Sequence, residues 1–194
     1  PDDVEFDGEK VVNLKTKEEI TRKEIGNKVM CSSNAPLSAT EAFSSPVSPP
    51  PFMVGIAEVE IDKETGVVEP IDYAAVVDCG TVVNPNLARV QTEGGIAQGI
   101  GMALYEDIIY SEKGKNYSNS FMQYKIPSRL DVGEIRVEFE SSYEPTGPFG
   151  AKSIGEIVIN TPSPAISNAV QNAVGVIVRE LPITAEKVYK GMAE

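Results

Sequence analysis

A single carboxylate, Glu156, closes a run of small residues: Gly147-Pro148-Phe149-Gly150-Ala151-Lys152-Ser153-Ile154-Gly155. Glycines let a backbone approach a ligand closely and adopt positive φ. A glutamate held beside such a loop is partly withdrawn from water, where its pKa is tunable. That is how a general base is built. An exposed turn carrying a solvated glutamate is the plainer reading of this window taken alone. Lys152-Ser153 also invite comparison with a phosphate-binding P-loop, G-x-x-x-x-G-K-[ST]. Ala151 and Thr146 stand where that loop needs its two glycines, so the pattern fails. A second run, Gly94-Gly95-Ile96-Ala97-Gln98-Gly99-Ile100-Gly101, fails the dinucleotide pattern because Leu104 replaces its third glycine.

The composition narrows the chemistry further. The chain has 194 residues and no histidine. Histidine bases, Ser-His-Asp triads and His-ligated zinc are therefore excluded. Cys31 and Cys79 lie far apart and cannot fill a four-cysteine iron–sulfur site. No residue is assigned as a metal ligand. Demanding chemistry here must use carboxylates, backbone dipoles, Lys, Tyr or an organic cofactor. The 17 Lys and Arg against 29 Asp and Glu give a net charge of −12, which disfavours nucleic acid and anionic membrane as partners. No apolar run has the length of a membrane span. Two isolated cysteines and the absence of a signal-like start at Pro1-Asp2-Asp3 predict a cytoplasmic setting.

These residues must be positioned by a folded frame. Alternation around Asp7-Gly8 predicts a short hairpin over 4–14. Thr16 and Glu19 resemble a capping box before a short surface helix carrying Ile20 and Ile25. Residues 31–51, rich in Ser, Ala and Pro, read as an extended loop or linker, or as a disordered spacer. Residues 52–61 and 67–77 predict a long hairpin across the turn at Lys63–Gly66. Residues 86–105 predict a helix with Leu87, Val90, Ile100 and Leu104 as apolar positions. Its interior glycines each cost about 1 kcal/mol relative to Ala. Either a ligand or a tightly crossing helix packs against them. Further strands are predicted at 108–110, 121–126, 134–140 and 176–178, and further helices at 164–174 and from Thr184. The fold class is α+β: a mixed sheet with β-hairpins and packed helices. The organisation is a peripheral segment and Ser/Pro-rich loop at 1–51, then a domain at 52–194.

The order of landmarks resembles the C-terminal part of the molybdopterin-binding subunit of the molybdenum hydroxylases, the xanthine dehydrogenase and aldehyde oxidase family. Four stretches carry the resemblance. They are Phe52 to Asp62 with Thr65-Gly66-Val67; Val77 to Pro85; Gln91 to Gly101 with Tyr124-Lys125-Ile126-Pro127; and Gly150 to Glu156 with Pro164-Ala165-Ile166 and Arg179-Glu180-Leu181-Pro182. Each motif alone is weak, and the four in order are specific. Residues 52–190 are covered well and residues 1–51 loosely. Val90, Ser153 and Ile157 stand where the family usually has Gly, Gly or Ala, and Pro. The family's glycine-rich cofactor loops and earlier substrate-orienting residues are missing. The chain thus resembles part of a molybdenum subunit, an expressed fragment or one piece of a split subunit.

The resemblance implies oxidative hydroxylation of an N-heterocycle (purine- or nicotinate-like) or an aldehyde, with water as oxygen source. Glu156 matches the family's general base. Gln91 matches its cofactor-contacting glutamine, and Gly150, Ala151, Lys152 and Ser153 would lie along the pterin. The implied cofactor is molybdopterin, plain or as the cytosine dinucleotide, with iron–sulfur clusters and FAD on other domains or subunits. The implied partners are the remaining molybdenum-subunit polypeptide, those redox domains and a small-molecule substrate. The competing reading is a non-catalytic accessory domain of the same fold that never contacts molybdenum.

Overall fold

The computed structural model describes residues 3–32, 37–42 and 44–193, in two compact units, Pro1–Ser44 and Ser45–Glu194. The first unit is a three-stranded antiparallel sheet and a helix: β1 (Val4–Phe6), β2 (Lys10–Asn13), β3 (Glu19–Thr21) and α1 (Arg22–Cys31). The expected hairpin at Asp7-Gly8 forms, with Gly8 at φ 98. The capping box forms one turn later than expected. Glu19 is paired in β3 and bridged to Lys10 at 2.6 Å, and the Thr16 hydroxyl stays in its own turn with Glu18. The box is instead Thr21 with Glu24: the Glu24 amide donates to the Thr21 hydroxyl and the Thr21 amide donates to the Glu24 carboxylate. Of the Ser/Pro-rich stretch, residues 33–36 and 43 lie outside the described residues. The described remainder up to Pro51 after Ser32 holds no helix or strand.

The second unit is built on a three-stranded mixed sheet in the order β4 (Phe52–Ile61), β5 (Val68–Asp78), β6 (Glu134–Glu140). β4 and β5 pair antiparallel with a bulge at Glu58/Val59, and β6 joins β5 in parallel. A parallel neighbour needs a crossover. That crossover contains α2 (Pro85–Leu104). Alternation along the strands puts Tyr73, Ala75, Val77 and Val137 inward. Against that face pack α2 and α4 (Pro162–Val174), whose Ile96, Ile100, Ile166 and Val170 are fully buried. Gly55 in β4 makes room for the Tyr73 ring, whose hydroxyl donates to Thr161 at 2.9 Å. α3 (Ile157–Asn160) precedes α4, and α5 (Ala185–Met192) starts at Thr184, whose hydroxyl accepts from the Lys187 amide.

Three predicted strand regions do not form strands. Phe121 to Ile126 alternates suitably, but the amides of Gln123 and Tyr124 both turn back onto the Ser120 carbonyl, and Phe121 and Met122 are 78% exposed. Val176 to Val178 is likewise not a strand; the Val178 carbonyl accepts from the Ser167 hydroxyl. Residues 108–110 contribute a single bridge, Tyr110 to Asn116, instead of a strand. Local alternation alone gives no partner strand: 121–126 and 176–178 have none among the described residues, and 108–110 has only that bridge.

The glycine-rich loop is fixed to the end of β5. The Thr81 amide donates to the Gly150 carbonyl at 2.8 Å and the Lys152 amide to the Cys79 carbonyl at 2.7 Å. Gly80 lies between them at φ 70, and a Cβ there would lie 2.9 Å from the Lys152 amide nitrogen. The Lys152 ammonium, with a side chain only 7% exposed, donates to Asp78 at 2.6 Å. Asp78 also accepts from the Ser142 hydroxyl at 2.6 Å and the Gly80 amide at 2.9 Å. One carboxylate therefore ties the strand end, the segment at 142 and the loop together.

The Lys152 ammonium, then the Ser142 hydroxyl, holds the Asp78 carboxyl at about 2, below its ordinary 3.8. A depressed carboxyl stabilises the fold above its ordinary pKa, and that contribution is lost as pH falls through the folded value. Replacing Asp78 by Ala should cost about 2–4 kcal/mol at pH 7, because Lys152 is left buried and unpaired. Urea unfolding across pH 2–7 checks this: the gap between wild type and variant should narrow between about pH 4 and pH 2. Parallel curves would show that the ion pair does not fix the loop.

Candidate cofactor site

The site is bounded by one face of α2 and by the chain from Cys79 to Asn84 and from Ala151 to Glu156. α2 starts cleanly: the Asn84 side chain accepts from the Leu87 amide at 3.1 Å, and Pro85 occupies the first helical position. Two of its glycines admit a close crossing. At Gly95 a Cβ would overlap Val158, and at Gly99 it would lie 2.6 Å from Pro162 and 3.0 Å from the Ile159 carbonyl. Of the two explanations open from sequence, the tight helix crossing accounts for these two. α3 and the start of α4 lie on α2, which brings Glu156, immediately before α3, beside the start of the helix.

Two cavities open along this seam. One, of about 380 Å³, is lined by Gln91, Gly94 and Gln98 of α2 and by Gly155, Glu156 and Ile159. The other, of about 460 Å³, is lined by Cys79, Thr81, Asn84, Gln91, Ala151 and Gly155, among others. Gln91 and Gly155 belong to both, joined by a long contact from the Gln91 amide to the Gly155 carbonyl at 3.5 Å. The structure thus brings Gln91 and Glu156 to one cavity, and Gln91, Ala151 and Lys152 to its neighbour. Gly150 is buried at φ 80 and sends its carbonyl to Thr81 and Glu144. Ser153 is exposed and lines neither cavity. The Lys152 ammonium is committed to Asp78, with the Phe52 ring 5.3 Å away, so Lys152 presents its backbone more than its charge.

Glu156 is exposed, and its side chain makes no capping bond to α3. Its carboxylate is therefore uncommitted to the helix end. Cys79 is the buried thiol in the wall of the larger cavity, and burial pushes its pKa up, so it is held as a neutral thiol. Two residues that line the cavities, Gln98 and Thr81, and one on the loop outside them, Phe149, are not among the candidates from the sequence. Gln98 falls two helical turns after Gln91, a spacing that puts both amides on one face. Thr81 is in the wall beside Cys79. Phe149 adopts φ 54, ψ 21 and is 85% exposed, a left-handed conformation that costs a residue with a side chain about 1–2 kcal/mol. Nothing in the residue type announces that conformation.

The donor set suits an organic cofactor. The side-chain amides of Gln91 and Gln98 each offer both donors and acceptors, and the two cavities have the size of small-molecule sites.

Comparison with known proteins gives the family. The family model for the molybdopterin cofactor-binding domain matches residues 1–133. The match takes in residues 1–51, which sequence motifs tie to the family only loosely, and ends before the Gly147–Glu156 loop. Subunit gamma of the 6-hydroxypseudooxynicotine dehydrogenase complex of Paenarthrobacter nicotinovorans is 36% identical over 142 residues, covering 72% of this chain and 18% of that protein. The xanthine dehydrogenase molybdenum-binding subunit of Escherichia coli O157:H7 is 34% identical over 155 residues, covering 79% of this chain and 21% of that protein. A crystal structure of the Cu,Mo-CO dehydrogenase in its carbon monoxide reduced state superposes with a TM-score of 0.79 at 26% identity, over 97% of this chain and 25% of that one. The chain thus spans a quarter or less of the length of these relatives. With the family model matching most of its residues, the chain belongs to the molybdopterin cofactor-binding domain family of the molybdenum hydroxylases.

Proposed function

We propose that the chain forms one wall of the molybdenum cofactor site of an oxidoreductase that hydroxylates an N-heterocycle, purine- or nicotinate-like, or an aldehyde, with water as oxygen source. The observation that carries this reading is the shared cavity of Gln91 and Glu156, two residues far apart in sequence. When bound, the molybdenum cofactor supplies the redox centre. The chain supplies position and one base. Gln91 and the backbone of Ala151 and Lys152 would hold the cofactor, molybdopterin plain or as its cytosine dinucleotide, with Gly150 and Ser153 flanking them. Lys152 contributes by bracing that backbone through Asp78. Glu156 would act as the base, its carboxylate accepting a proton from the oxygen nucleophile.

Glu156 is exposed where it lines the cavity. A base working against water needs a lid. The remaining molybdenum-subunit polypeptide supplies it, with iron–sulfur and flavin domains or subunits carrying the electrons away. In support, the outer sheet face presents Phe52, Val54, Ile56 and Val76, each 48–68% exposed, an apolar strip suited to further polypeptide. The relatives named above are four or more times longer than the portion this chain matches. A cytoplasmic setting goes with this reading; no helix among the described residues is long and apolar enough to cross a membrane.

Two outcomes follow. The 194-residue chain alone should bind no molybdenum, and stoichiometric cofactor on it would refute the shared-site reading. In the assembled enzyme, Glu156→Gln should keep molybdenum content and fold while lowering turnover about 100- to 10,000-fold. Turnover normalised to molybdenum is the measurement. A Gln variant with near wild-type turnover would remove Glu156 as the base and favour a non-catalytic accessory domain.

A further inference from the structure

Glycine is the wrong residue for the interior of a helix unless something requires it. At Gly95 and Gly99 the requirement is internal, because Val158, Pro162 and the Ile159 carbonyl occupy the space of a Cβ. At Gly94 it is not. A Cβ there meets nothing within 4 Å, and its φ is not positive. Gly155 is in the same position: open space at the Cβ and no positive φ. Both line the cavity shared with Gln91 and Glu156, one from α2 and one from the loop. Among the described residues, Gly26 alone shares this combination, and it lies on α1 in the other unit. The fold itself gives no reason for hydrogen at 94 and 155.

We infer that Gly94 and Gly155 are steric determinants of the cofactor seat, kept without side chains so that the bound group can lie against both backbones. This rests on the reading of the cavity proposed above. A Cβ at either position projects into space the chain leaves empty and the cofactor fills. The two substitutions therefore act in opposite directions on the two states of the protein. In the cofactor-free state Gly94→Ala gains helix propensity, and Gly155→Ala clashes with nothing among the described residues. In the loaded state each methyl displaces the group from its seat.

The test uses the full-length protein that contains this chain, expressed with and without cofactor supply. Thermal unfolding of the cofactor-free protein and molybdenum plus pterin content of the loaded protein are measured for wild type, Gly94→Ala, Gly155→Ala and Gly95→Ala. In the cofactor-free state, Gly94→Ala should raise the midpoint by ~2–4 °C and Gly155→Ala should leave it unchanged. Both should retain about tenfold less cofactor than wild type. Gly95→Ala, which overlaps Val158, should lower the cofactor-free midpoint and so mark what an internally required glycine does. Wild-type cofactor content in both the 94 and 155 variants would overturn the inference while leaving the cavity's function standing. A lowered cofactor-free midpoint in either variant would overturn it by making that glycine structural. A wild-type protein that takes up no molybdenum would overturn the reading of the site and the inference together.

Discussion

The absence of side chains at Gly95 and Gly99 lets α3 and the first turn of α4 lie directly on the α2 backbone. Everything at the seam depends on that approach. Val158 fills the space of the Gly95 side chain and is fully buried there, and Pro162 does the same over Gly99. Glu156 immediately precedes the helix that carries Val158, so its place beside Gln91 is inherited from this packing. A helix two glycines poorer in propensity is about 2 kcal/mol less stable locally. Burial of Val158, Pro162, Ile96 and Ile100 at the crossing offsets this cost.

The other side of the seam is held electrostatically. The loop from Gly147 to Gly155 has little apolar content of its own with which to anchor itself. It is instead stitched to the end of β5 by backbone bonds at Thr81 and Lys152, and locked by Asp78. The lock uses the one positive charge of the loop, Lys152, in a structural role. The cavity is left with neutral amides and a single carboxylate, Glu156, in keeping with a cofactor that brings its own reactive centre.

Much of this frame is legible in the sequence, for identifiable reasons. The long hairpin of β4 and β5, α2, α4 and the strand β6 all carry clear periodicity and strong punctuation, such as Lys63–Gly66, Asn84-Pro85 and Gly175. The segments that do not form the expected strands, 108–110, 121–126 and 176–178, have no partner strand among the described residues, and pairing is a tertiary fact. The capping box moved from Thr16 to Thr21 because Glu19 is claimed by β3. The family-like motifs point to Gln91 and Glu156 and to their lying near each other, and the structure places both in one cavity. Gln98 was readable by its two-turn spacing. Phe149, with its left-handed backbone, and the salt bridge from Asp78 to Lys152 were not, since neither leaves a local pattern.

The α2 face at Gln91 and the loop ending in Glu156 bound one cavity, which we propose is cofactor space. The most direct measurement is anomalous scattering at the molybdenum edge from crystals of the loaded full-length protein. The account predicts a single molybdenum peak in the space bounded by Gln91, Gly94, Gly155 and Glu156. A peak on the outer face of the β4–β5–β6 sheet, or remote from both Gln91 and Glu156, would contradict it.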